Sequence, residues 1–178
     1  MNRQDLLPPL SDEQWPSELT DSLTGSILNI HRMVAHNPSL TAAYAPLRNY
    51  IVKDSSLTER QRELLILRAG HIMQSEYEWT HHVVRGRAAG LTDGEIARVQ
   101  EGPEAAGWAD DERAILRSVD EMRTYQELTV ETAASLQQHL GNAGVIDTIF
   151  TIGVYLTLGT ILKTFDVPLD ERIKPLEG

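Results

Sequence analysis

Between positions 75 and 82 the chain reads Ser75, Glu76, Tyr77, Glu78, Trp79, Thr80, His81, His82, with two carboxylates, two imidazoles and two large aromatics in about two helical turns. On a helix, Glu78 and His82 stand at i and i+4 and share a face with Ser75 behind them and Arg85 ahead. A carboxylate beside an imidazole can hold, give or take a proton near neutral pH, which is the raw material of general acid–base catalysis. The same spacing has a structural meaning. Ser75-x-x-Glu78 is a capping box, in which both side chains satisfy free amides at a helix start, and the two roles do not exclude each other. A further carboxylate, Glu63, falls on the helical face of Leu67, Gly70 and His71, and Gly70 leaves room there for another helix to come close. A lone Glu near a helix start is ordinarily solvated, so spacing alone gives Glu63 no chemical role.

Composition removes several other chemistries. The chain has no cysteine, which excludes disulfides, thiolate metal sites and thiol nucleophiles together. Glu78-x-x-His81 has the step used by di-iron bundles, but those need a second Glu-x-x-His and the chain has no other. A mononuclear zinc or iron site on Glu63, Glu78, His81 and His82 stays open, although adjacent histidines on a helix point about 100° apart. No serine sits in a Gly-x-Ser-x-Gly elbow, and the twelve glycines form no phosphate-cradling pattern. The net charge of −10 argues against nucleic acid or an anionic membrane as partner. What remains beside that open metal site is a cofactor-free acid–base pocket. Tyr77, Trp79 and Tyr155 could pack against a ring or acyl substrate, or be plain core.

The elements that must position these groups are all helical. Residues 1–16, Pro-rich and polar with Trp15-Pro16 as anchor, are expected to form an extended arm lying on the body of the protein, and residues 17–178 a single helical domain. Leu19, Leu23, Ile27, Ile30 and Val34 recur at helical steps and predict a helix from about Pro16 to Ala35, with His31 and His36 at the surface or capping. Ser39 caps a second helix through Ile51, and Ser56-Leu57-Thr58-Glu59 is a capping box for a third, apolar on most sides, to about Gln74. The fourth carries the motif and ends before Gly90. Thr92 to Glu95 boxes a fifth that closes at Gly102-Pro103, and Asp110-Asp111-Glu112 opens a sixth. Thr129 to Leu140 gives a seventh, stopped by Gly141, and Asn142 caps a long apolar eighth. Its run from Ala143 to Leu162 approaches bilayer-spanning length but contains Asp147, threonines and glycines, and so reads as a buried helix. The expected architecture is all-α, a bundle of about eight helices, and with no signal-peptide pattern at the start the expected location is the cytoplasm.

The run from Leu57 to Ile96 closely resembles the carboxymuconolactone decarboxylase family, through Leu-Thr-Glu-Arg-Gln-Arg-Glu-Leu-Leu-Ile-Leu-Arg, Tyr-Glu-Trp-Thr-His-His and Ala-Gly-Leu-Thr-Asp-Gly-Glu-Ile. Segments 29–38 and 155–169 look like its flanking parts. That resemblance implies an alkylhydroperoxidase D-like helical fold. In the peroxidase branch a glutamate, a Cys-x-x-Cys pair and a histidine four residues on form the reaction centre, and these positions fall on Glu63, Ser75, Glu78 and His82. Both thiols are absent here, so peroxide reduction by that route has no attacking group. The decarboxylase branch also lacks the pair and keeps a Glu-x-x-x-His, matched by Glu78 and His82.

The resemblance and the residues together lead to an expected function. It is a carboxy-lyase acting without cofactor on a small carboxylated lactone or oxo acid, with Glu63, Glu78 and His82 catalytic and Tyr77, Trp79, His81, Arg85 and Tyr155 binding substrate. The rivals are an isomerase or hydrolase of the same fold, and a binding scaffold without activity. The family likeness also implies a homotrimer or homohexamer.

Overall fold

The computed structural model describes residues 2–19, 26–171 and 173, and among these every regular element is a helix. In chain order they are α1 (Arg3–Leu6), a 3-10 turn (Ser17–Leu19), α2 (Asn29–Val34), α3 (Pro38–Lys53), α4 (Glu59–Met73), α5 (Glu76–Ala88), α6 (Asp93–Glu101), α7 (Asp110–Tyr125) and α8 (Val130–Thr164). The expected all-α class and helix count are thus observed, and three starts differ from the sequence reading. The cap of α3 is Asn37, whose side chain accepts from Leu40 N, because Pro38 occupies the first helical position, where its missing N–H costs nothing. The box of α4 is Thr58 with Gln61, not Ser56 with Glu59. Ser56 is drawn elsewhere: its N–H and its hydroxyl both donate to Asp147 Oδ2 at 2.7 Å. The helix expected over 16–35 is not continuous, since residues 26–28 are non-helical and α2 begins only at Asn29, where His31 Nδ1 accepts from Leu28 N. Leu23 lies outside the described residues.

The chain forms two compact units, residues 1–54 with 160–178 and residues 55–159. In the first, the N-terminal arm is not wholly extended, because α1 adds one helical turn. It is tied down by polar contacts: Gln4 Nε2 donates to Asp166 Oδ2, Arg32 reaches Leu10 O and Asp12, and His36 Nε2 donates to Pro8 O.

The second unit is built around α4, which packs on α5, α6 and α7. Leu64, Leu65, Ile66 and Leu67 are all fully buried, so this stretch has no solvent face. Leu64 and Leu67 join Leu91, Ile96, Val99, Trp108 and Leu116 in one apolar cluster. Two arginines of α4 tie the surrounding helices at the rim: Arg60 bridges Glu95 and Glu112, and Arg68 forks onto both oxygens of Asp120 while donating to Val99 O and Gln100 O. The seventh and eighth helices of the sequence reading form one run, α8, interrupted where expected, at Gly141 (φ 70°, ψ 179°). Its start is held by Glu121, which accepts from Thr129 N and from the Thr129 and Thr132 hydroxyls. By length and composition α8 could cross a bilayer, yet Asp147 and Thr148 are buried within it.

Gly70 decides how closely α4 and α5 approach. A Cβ there would lie 3.2 Å from Glu78 Cβ and 3.3 Å from Trp79 N, atoms that cannot rotate away. Gly70→Ala therefore gains about 1 kcal/mol in helix propensity but loses about 1–3 kcal/mol to overpacking, and a net loss in urea-melt stability is expected. Gly94→Ala is the control, with no neighbouring atom closer than 4.0 Å, and should be neutral or stabilising.

Candidate active site

The turn between α4 and α5 resolves the double meaning of Ser75 and Glu78. Gln74 takes a left-handed conformation (φ 53°) and the next amide, Ser75 N, donates back to Gly70 O at 2.9 Å. Ser75 N is thereby satisfied without Glu78. Only half of the capping box exists, the Ser75 hydroxyl accepting from Glu78 N at 3.4 Å. The Glu78 carboxylate instead faces forward, its Oε2 3.4 Å from His82 Nε2.

Glu63 comes to the same imidazole from α4. Its Oε2 lies 2.6 Å from His82 Nδ1, so the two carboxylates flank the ring, one at each nitrogen. Glu63, Glu78 and His82 are 4%, 5% and 3% exposed. Tyr155 of α8 meets His82 edge to face, with ring centroids 5.3 Å apart at 86°. The relative closeness of the carboxylates inverts their expected weight: Glu63 holds the shorter, directional contact and Glu78 the looser one.

Electrostatics follow from this geometry. Burial by itself would push the His82 pKa down, but the Glu63 charge and hydrogen bond, helped by Glu78, raise it above its ordinary value. Burial would likewise raise Glu63, yet the His82 charge and hydrogen bond, with Arg85 and Arg62 beyond, hold it below the usual carboxylate range. Both shifts favour the charged forms, imidazolium against carboxylate, over what burial alone would allow.

The other sequence candidates divide. Arg85 acts on Glu63 from α5, and Tyr155 touches His82, so both belong to this cluster. Tyr77 and His81 form a separate stack, ring centroids 4.0 Å apart, and His81 Nδ1 donates to Tyr77 O at 2.8 Å. They sit one residue before Glu78 and His82, which rotates them about 100° around α5. Trp79 packs against the apolar cluster and lies 6.0 Å from His71 between ring centroids. It lines, with Arg68, Gly70, His71, Ser75 and Gln100, an open cleft of about 520 Å³ to which none of Glu63, Glu78 or His82 contributes. Among the described residues no group of three or more His, Asp or Glu is disposed to hold a metal ion. One residue was missed in the sequence. Arg62 is buried, with its Nε 3.8 Å from Glu63 Oε1, and nothing in the pattern of a helix carrying three arginines singled it out.

Comparison with known proteins agrees with this architecture. Residues 38–121 match the model of the carboxymuconolactone decarboxylase family. No curated protein matches the chain. Among solved structures, an uncharacterized peroxidase-related protein from Silicibacter sp. TM1040 superposes with a TM-score of 0.78 at 15% identity, over 94% of this chain and 91% of that one. A protein of unknown function from Agrobacterium tumefaciens, to which the antioxidant-defence name AhpD has been attached, gives 0.67 at 24% identity over 76% and 94%. The debrominase Bmp8 in complex with 2,3,4-tribromopyrrole gives 0.75 at 16% identity over 93% and 92%. At these identities the structures share the fold.

The buried pair makes stability depend on pH in a defined window. Glu63, lowered from 4.5, stabilises the fold above about pH 4.5 and stops doing so as pH falls through its depressed folded value. His82, raised from 6.5, stabilises it fully below about pH 6.5 and stops as pH rises through its elevated folded value. The stability gap between wild type and His82→Gln, measured by urea unfolding, should be widest between these limits and shrink at more alkaline pH. A gap that does not change between pH 5 and pH 9 would mean that His82 titrates alike in the folded and unfolded protein, and a gap that grows with pH would mean that the fold keeps it neutral.

Proposed function

We propose, taking residues 38–121 as a carboxymuconolactone decarboxylase family segment without the cysteine pair, that this protein is a cofactor-independent acid–base lyase. Its substrate is a small carboxylated lactone or oxo acid. The observation that carries the reading is the buried imidazole of His82 with a carboxylate at each nitrogen. Glu63 at Nδ1 fixes the orientation of the ring and keeps it charged, and the Nε2 proton is the one available for transfer. As carbon dioxide leaves, the bond's electrons pass into the conjugated carbonyl of the substrate. His82 then delivers its proton to the resulting carbon or oxygen, with Glu78 relaying the replacement proton from solvent. A dry site favours the step because a carboxylate is poorly solvated there and the proton has no competing acceptor in bulk water. Thiol-based hydroperoxide reduction is not open to a chain without cysteine.

Of the expected substrate contacts, Tyr155 suits this role by its contact with His82 and Arg85 by its charge acting on Glu63, whereas Tyr77, His81 and Trp79 serve the packing of α5. The proposal extends to a cytoplasmic homotrimer or homohexamer. Support comes from α8, which leaves Ile146 and Phe150 more than half exposed, one turn apart on one face.

Two outcomes are expected. Once a substrate is found by screening lactone and oxo acids for carbon dioxide release, Glu63→Gln, Glu78→Gln and His82→Gln should each cut kcat by about 100-fold or more while leaving the circular dichroism spectrum unchanged. Because the groups act as one unit, Glu78→Gln combined with His82→Gln should be little worse than the worse single variant, and full activity in the single variants would end the assignment. Light scattering should return a mass of three or six chains, and a stable monomer at micromolar concentration would contradict the assembly.

A further inference from the structure

We propose that Arg62 and Arg85 together form the carboxylate-binding subsite of this centre, with Arg62 as its buried, directional element. The inference rests on the assignment of Glu63 and His82 as the acid–base pair, and adds the group that would hold the substrate against it. Arg62 is only 8% exposed, and its one close charged neighbour is Glu63, whose Oε1 lies 3.8 Å from Nε, beyond hydrogen-bond distance. The nearer claim on Glu63 belongs to His82, which takes Oε2 at 2.6 Å. The guanidinium of Arg62 therefore has no hydrogen-bond partner among the described residues. Arg85 has none either. It stands three residues beyond His82 on the same face of α5, near enough for its charge to act on Glu63.

Of the other arginines of this unit, only the exposed Arg123 likewise lacks a side-chain partner among the described residues. Arg60, Arg68 and Arg117 each meet a carboxylate within 2.7 Å, and Arg113 donates to Pro103 O. The side chain of Arg62 is 10% exposed and none of its nitrogens is both sealed from solvent and unbonded, so the donors the protein leaves unused stay open to an anion. Charge counting points the same way. Arg62 and Arg85 bring two guanidinium groups to a Glu63 carboxylate that His82 already engages, so their positive charge is left for a substrate carboxylate. The planar fork of an arginine suits that group, donating to both oxygens at once and fixing its plane. On α8, Thr151 stands one turn before Tyr155 on the same face and buries a hydroxyl that has no hydrogen-bond partner among the described residues, a second polar group left for a ligand.

Calorimetric titration of the full chain at pH 7 tests this without turnover. The probes are 5-oxotetrahydrofuran-2-carboxylate, a lactone with one carboxylate, and its primary amide. The acid should bind saturably and the amide at least about 10-fold more weakly. Arg62→Met should weaken the acid by about 10-fold or more and leave the amide unchanged. Should that variant fail to fold, Arg62→Lys keeps the charge but loses the fork, and a several-fold loss for the acid is expected. Equal affinity for acid and amide, no saturable binding of the acid, or full affinity in the folded Arg62 variant would each overturn the subsite. Arg62-dependent binding without any His82-dependent turnover would sink the acid–base function and leave the subsite standing. His82-dependent turnover with KM unchanged by Arg62→Met would do the reverse.

Discussion

The close approach of α4 and α5 at Gly70 is the constraint on which the second unit depends. With no side chain at that position the backbone of α5 passes within van der Waals distance of α4 around Glu78 and Trp79. Glu63, two turns earlier on the same face of α4, is thereby carried to His82, one turn beyond Glu78 on α5. A separation larger by the width of a methyl group would turn a 2.6 Å contact into a through-space attraction between two buried charges. The left-handed Gln74 and the Ser75 N to Gly70 O bond fix the angle at which the two helices part.

Burying an ion pair is seldom a net gain in stability, because desolvation of both groups offsets most of their attraction. Here the cost falls on a unit with ample compensation: four consecutive fully buried aliphatic residues in α4, and a rim of arginine bridges onto α6 and α7. Rigid surroundings also serve the chemistry. An imidazole locked between two carboxylates keeps its protonation and direction without reorganising when charge develops beside it. The chain's lack of cysteine fits this arrangement, in which a carboxylate, Glu78, is turned toward His82.

Much of this was legible in the residues themselves. Helical periodicity, the Thr92 box, the Gly141 interruption and the space above Gly70 are local facts, set by propensity and by steric rules acting within a few residues, and the helices follow them. Glu78 and His82 at i and i+4 are neighbours on any helix. The likeness of the Leu57 to Ile96 run to a known family of helical proteins likewise required only the order of the residues.

Other features depend on groups far apart in the chain, and no local rule contains them. Ser56 abandons a capping role because Asp147 lies opposite it, and the box moves to Thr58 and Gln61. Glu63 looks like a solvated helix-start carboxylate until the packing of α5 makes it the nearest partner of His82. Arg62 differs from Arg60 and Arg68 in no way that sequence displays, yet those two find carboxylates across the fold and Arg62 does not. Tyr77, Trp79 and His81 share the density of the motif but not its direction, because 100° per residue turns each neighbour to another face. Residue order therefore determined which groups exist and how they are spaced along each helix. Which of them meet, and which buried guanidinium is left with a single 3.8 Å contact, was decided only by the packing of one helix on another.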